Sequence, residues 1–168
     1  MRTTVDIPDP IYRRLKSAAE RILRLRMKPV DTLLLPQSDA WKTPALAKHT
    51  GKYNRVLVDA PCSGTGAWRR HPADRFRLKE SNLEAICATQ RDILMTGAML
   101  VKPGGFLLYA TCSILKEENE DMATWFDAAM KGFEFVPDLA GSGGRFLVLL
   151  PHATGTDGFF ASGWVRRF

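Results

Sequence analysis

Two short stretches hold the residues best suited to chemistry. Val56-Leu57-Val58-Asp59-Ala60-Pro61-Cys62-Ser63-Gly64-Thr65-Gly66 passes from an apolar run through an acid and a proline to a thiol and a Ser/Gly/Thr loop. Phe106-Leu107-Leu108-Tyr109-Ala110-Thr111-Cys112-Ser113 repeats the plan, with a second thiol just past an apolar run. A free cysteine titrates near ~8.5, so a nucleophilic one needs an activating neighbour. A carboxylate and two thiols suit carbon methylation of a pyrimidine. Cytosine C5 is a poor nucleophile until a thiolate adds at C6. C5 then attacks a methyl sulfonium, and loss of the C5 proton with expulsion of the thiol restores the ring. A carboxyl group hydrogen-bonded to the base can assist charge development at N3.

Both thiols can touch one substrate if their strands are neighbours, because paired strands lie ~4.8 Å apart. In an open α/β sheet, ligands bind at the C-terminal ends of the strands. Asp6, Asp39, Asp59, Cys62 and Cys112 all fall at or just past expected strand ends: residues 1–7, 30–35, 55–59 and the run before Cys112. Between them, Asp9 and Pro10 suit a helix start, and Ile11, Leu15, Ala18, Ala19, Ile22 and Leu25 recur at helical spacing until Pro29. Ser81-Asn82-Leu83-Glu84 has capping-box spacing and opens a helix with Leu83, Ile86, Cys87, Gln90, Ile93, Leu94, Ala98 and Val101 on one face. Cys87 there reads as a small core residue. Lys102-Pro103-Gly104-Gly105 ends that helix. A further helix over 117–130 presents Met122, Trp125, Phe126 and Ala129 inward, and apolar runs follow at 133–136, 146–150 and 159–165. The last two predict an antiparallel hairpin at a sheet edge. Alternating strands and helices make the class α/β with a mainly parallel sheet.

The chain has 168 residues, enough for one domain with a real core. No apolar run approaches the ~20 residues of a membrane span, and the first residues lack the apolar core of a secretory signal. Three cysteines, spaced unlike a disulfide framework or a zinc site, fit a reducing cytoplasmic setting and no metal. Lys and Arg total 24 against 18 acids, a net charge of +6 that favours a polyanionic partner. Arg69, Arg70, His71, Arg75, Arg77 and Lys79 interleave with Trp68 and Phe76 beside the first thiol. Such a segment can pair RNA phosphates and stack bases, or form a surface loop with its aromatics packed beneath.

These motifs resemble those of the Sun/Fmu (Nop/Sun) family of RNA cytosine-5 methyltransferases. The resemblance rests on Asp59-Ala60-Pro61-Cys62-Ser63-Gly64-Thr65-Gly66 and Tyr109-Ala110-Thr111-Cys112-Ser113, the two signature motifs. Arg69-Arg70-His71-Pro72, Val101-Lys102-Pro103-Gly104-Gly105, Glu117-Glu118-Asn119-Glu120 and Asp157-Gly158-Phe159-Phe160 match further segments in order. The resemblance implies a Rossmann-like class I methyltransferase fold, S-adenosylmethionine as cofactor, and a cytosine of structured, most often ribosomal, RNA as substrate. It implies Cys112 as the nucleophile at C6, Cys62 as assisting product release, and Asp59 at the junction of cofactor and base. It further implies Asp6 at the cofactor ribose and Asp39 near the adenine. The first glycine of the chain is Gly51, so the family's Gly-rich cofactor loop and the strand before it have no counterpart. Residues 1–168 are therefore expected to be the C-terminal part of one truncated catalytic domain. Such a chain is expected to bind the cofactor poorly alone and to self-associate through exposed sheet edges. The competing classes are an RNA-binding remnant without catalysis and a thiol-redox protein; the latter lacks a Cys-x-x-Cys pair.

Overall fold

A computed structural model describes residues 44–168 apart from Arg77. The expected strand ending at Asp6, the basic helix after Pro10, the strand over 30–35, Asp39 and Arg77 lie outside the described residues.

A five-stranded sheet forms from β1 (Tyr53–Asp59), β2 (Val101–Thr111), β3 (Phe133–Val136), β4 (Leu147–Leu149) and β5 (Phe159–Arg166). β1 and β2 run parallel, with Val56 opposite Leu107, Val58 opposite Tyr109 and Asp59 opposite Ala110. β5 runs antiparallel to β2 on one side and to β3 and β4 on the other, so the sheet is mixed. The expected hairpin forms between β4 and β5, but β5 lies inside the sheet, not at its edge. Phe160, Ala161, Ser162 and Trp164 are all buried, as a strand paired on both sides requires.

The helices are α1 (Pro44–Ala47), α2 (Glu80–Leu100), α3 (Glu120–Ala129) and α4 (Pro151–Thr154). Parallel neighbours need a long crossover, and α2 supplies it between β1 and β2. Leu94 and Ala98 of α2 join Val58, Leu107 and Tyr109 in the core. Gly97 permits this closeness: a Cβ there would lie 2.6 Å from Val58 Cγ2 and 3.4 Å from Leu107 Cδ1. The helix begins one residue before Ser81, with Lys79 in the N-cap position, so the capping-box spacing does not mark its start. Its end also differs from expectation. Val101 already pairs with Tyr53, and Lys102–Gly105 forms an irregularity within β2, where Gly104 takes φ 72°.

The helix expected over 117–130 is split. Lys116–Glu118 is a 3-10 turn, Asn119 leaves helical geometry at φ −113° and ψ −94°, and α3 follows. Asn119 uses its side chain elsewhere: Nδ2 donates to Ser113 O at 2.9 Å, and Oδ1 accepts from Thr111 Oγ1 at 2.6 Å. α3 turns Met122, Ala123 and Phe126 into the core, while Ala129 is exposed, contrary to expectation. Phe126 packs 4.6 Å from the ring of Trp164, whose indole N–H donates to Asp127 Oδ1 at 2.5 Å. The apolar body of Trp164 is thus buried without orphaning its polar atom.

Candidate active site

β1 and β2 end side by side. Ala60 N still donates to Ala110 O at 3.0 Å, after which Pro61 and Thr111 release each chain into a loop. Cys62 and Cys112 follow at once, with their sulfurs 3.2 Å apart. Cys112 is exposed and Cys62 half-buried, so Cys112 is the more accessible of the two. The hydrogen bond from Cys62 holds the Cys112 thiol down to about 7, against burial and the nearby Asp59 and Glu118 carboxylates, which push it up. The same bond, followed by burial, pushes the Cys62 thiol far up. Of the two, Cys112 therefore loses its proton first, and Cys62 keeps its own. Cys87 is buried in α2, where burial raises its thiol, as a core residue should.

The Ser63–Gly66 segment binds the two loops together. Gly64 takes φ 70°, and Thr65 Oγ1 accepts from Ile114 N at 2.9 Å. Gly66 N donates to Cys112 O at 3.0 Å, and Gly66 O accepts from Gly158 N at 2.9 Å. A Cβ on Gly66 would overlap the Gly158 backbone, so this close approach needs glycine. Beneath the thiols lies a residue to which the sequence assigns no role. Glu118 is fully buried and accepts from Ser63 N at 2.8 Å, Ser63 Oγ at 2.5 Å, Ser113 Oγ at 2.5 Å and Gln90 Nε2 at 2.9 Å. Gln90 Nε2 also donates to Pro61 O at 3.0 Å. The signal for this network is Gln90 itself, since an amide on an otherwise apolar face needs a buried partner.

Asp59 stands at the last position of β1, on the thiol side of the sheet. Its carboxylate is close enough to Cys112 to push that thiol upward. An anion at this point fits a cationic sulfonium donor, and Asp59 is the one candidate cofactor residue among the described residues. Arg69 and Arg70 both pair with Asp157, at 3.6 Å for Arg69, yet their side chains stay 66% and 62% exposed. Arg75 lies over the ring of Phe76 at 4.6 Å, and that ring is 74% exposed. His71 and Lys79 are exposed in the same segment. Trp68, in contrast, is half-buried.

A Rossmann-like mixed sheet whose parallel pair delivers reactive groups at its C-terminal end places the chain among the class I methyltransferases. Within that class it belongs to the family described as 16S rRNA methyltransferase RsmB/F, whose model matches residues 2–164. It is 34% identical over 152 residues to ribosomal RNA small subunit methyltransferase B of Pasteurella multocida (strain Pm70), covering 88% of this chain and 33% of that protein. The solved structure titled Crystal Structure of PH0851 matches with a TM-score of 0.77 and 35% identity, over 95% of this chain and 35% of that one. NSun6 from Pyrococcus horikoshii, solved with SFG, matches with a TM-score of 0.68 and 26% identity, over 92% of this chain and 39% of that one. The chain spans about a third of the length of the curated relatives it matches. No helix among the described residues is long and apolar enough to cross a membrane.

Proposed function

We propose that the chain is the C-terminal part of the catalytic domain of a cytoplasmic methyltransferase acting on C5 of a cytosine in ribosomal RNA. The observation that carries this reading is the thiol pair: two sulfurs 3.2 Å apart, the exposed one held down to about 7. Cys112 Sγ adds to C6 as a thiolate, and electron density moves to C5. S-adenosylmethionine, the methyl donor of this family, supplies an electrophilic methyl group when bound. Asp59, with Asp6 and Asp39 outside the described residues, would hold it. Loss of the C5 proton to solvent returns its electron pair to the C5–C6 bond, and the Sγ–C6 bond breaks with Cys112 leaving as a thiolate. Cys62, still protonated, is positioned to donate a hydrogen bond to the departing thiolate, which is how it assists release.

The exposed guanidinium groups of Arg69 and Arg70, the Arg75–Phe76 stack, His71, Arg77 and Lys79 are assigned to RNA. Self-association is assigned to β1, which ends the sheet among the described residues and carries Leu57, 63% exposed on one face. The test of the reaction is trapping on RNA containing 5-azacytidine, using the chain extended upstream to the length of its relatives. Cys112→Ala should give no covalent adduct, whereas Cys62→Ala should give one and also retain natural RNA. An adduct that persists in Cys112→Ala refutes the assignment.

A further inference from the structure

Each thiol is followed by a serine, and both serines reach the same buried carboxylate. Glu118 Oε2 accepts from Ser63 Oγ and from Ser113 Oγ, each at 2.5 Å, while Oε1 accepts from Ser63 N at 2.8 Å and Gln90 Nε2 at 2.9 Å. The two hydroxyls also lie 3.2 Å from one another. The carboxylate is itself fixed. Tyr109 Oη donates to Glu118 O at 2.7 Å, and the next residue, Asn119, grips Thr111 and Ser113 on either side of Cys112. One residue thus ties together the loop after β1, the loop after β2 and helix α2. A fully buried carboxylate is costly unless its lone pairs are filled, and a packed core alone would not call for one here.

We infer that Glu118 is a positioning residue of the active site, setting the separation of Cys62 and Cys112 through the serine that follows each of them. This inference rests on the reading of the two thiols as the reactive pair. Glu118 acts through geometry more than charge, and the two can be separated. In Glu118→Gln, an amide oxygen in place of Oε1 keeps the hydrogen bonds from Ser63 N–H and Gln90. Its NH2 in place of Oε2 can donate to the two hydroxyls, which turn to accept. Geometry is retained while the negative charge that pushes Cys112 upward is lost. Glu118→Ala removes all four hydrogen bonds and leaves both loops untied.

The experiment measures Cys112 alkylation by iodoacetamide against pH in the full chain, with circular dichroism as the check on folding. The expected midpoint is about 7 in the unaltered chain. It should stay there or fall lower in Glu118→Gln, and should rise toward the ordinary 9.0 in Glu118→Ala as the Cys62 hydrogen bond is lost. Diamide-driven formation of the Cys62–Cys112 disulfide, compared at equal Cys112 ionisation, should slow about a hundredfold in Glu118→Ala for a displacement of ~1 Å. If Glu118→Ala does not fold, the double variant Ser63→Ala/Ser113→Ala cuts the hydroxyl ties and should show the same rise. A folded Glu118→Ala, or that double variant, with an unmoved midpoint overturns the inference and leaves the thiol pair standing. Glu118→Gln behaving like Glu118→Ala also overturns it. An unaltered chain whose Cys112 titrates near 9.0 removes the hydrogen-bonded pair, and the inference with it.

Discussion

Replacing Cys62 by alanine removes the largest influence that holds Cys112 down. What remains at Cys112 pushes mostly upward: partial burial first, then, against one backbone hydrogen bond that lowers it, the Asp59 and Glu118 carboxylates. The thiol should therefore titrate near or above 9.0 in place of about 7. At pH 7 the thiolate fraction would fall from about one half to about 1%, a factor of roughly 50. The rate of alkylation should not fall by that much. A more basic thiolate is more nucleophilic, and a Brønsted coefficient of about 0.4–0.5 returns a factor of roughly 8, leaving a net loss of about sixfold. The midpoint of the pH profile is therefore the decisive quantity. Unaltered Cys112 should lose reactivity as pH falls through about 7, where its thiolate is protonated, and stay level above it. In Cys62→Ala the rise should move to the alkaline side. Peptide-resolved mass spectrometry after brief iodoacetamide exposure gives the Cys112 signal, and Cys87, buried with its thiol pushed up, interferes little. A Cys62→Ala profile still centred near 7 would refute the reasoning, because some other group would then be activating Cys112.

Three further outcomes are expected. Gly97→Ala drives a methyl against Val58 Cγ2 in a filled core, and should lower unfolding free energy by about 1–3 kcal/mol in urea titration; an unchanged transition would show that α2 can move away from the sheet freely. Arg69→Ala/Arg70→Ala should weaken RNA binding and reduce the slope of log affinity against log salt by about 0.7–0.9 for each phosphate left unpaired. Asp157→Ala, which frees both guanidinium groups, should not reproduce that effect, and an unchanged slope in the arginine variant would place RNA elsewhere. Leu57→Lys should reduce association of the chain in sedimentation velocity at rising concentration, whereas equal association in both proteins removes the Leu57 surface of β1 from the interface.

The parts of the fold visible in the sequence are those written in local pattern. The runs ending at Asp59 and Thr111 show where β1 and β2 stop, and the stripe from Leu83 to Ala98 shows the buried face of α2, because periodicity records burial along one element. That the two thiol-bearing strands are neighbours follows from no single run. It requires the crossover between them to be one helix long. The position of β5 is hidden for the same reason: short spacing to β4 reveals one partner of a strand and is silent about the other. Asn119 looks helical because its neighbours are, yet its side chain bonds backwards to Ser113 and Thr111 and breaks the helix. Glu118 is the least legible of all. It stands in a run of acids, and it is made an interior residue by Ser63 and Gln90, brought from distant segments, together with Ser113 five residues before it.

The use of two thiols in place of a thiol and a larger base has a geometric reason. Parallel neighbours set the loops only ~4.8 Å apart, and short side chains fill that gap without spreading the strands. A histidine in place of Cys62 would need more room and would change its own charge near neutral pH. Cys62 does not. The hydrogen bond to Cys112 and burial push its thiol up, so it keeps its proton when Cys112 is a thiolate near neutral pH. In the proposed reaction the pair would thus hold one nucleophile and one proton together, so the group that activates Cys112 for attack would still be protonated when Cys112 leaves. That requirement falls on the sulfur separation, because a sulfur hydrogen bond weakens quickly as the two atoms move apart. It is this separation, 3.2 Å between side chains on different strands, that the Ser63–Glu118–Ser113 bridge holds.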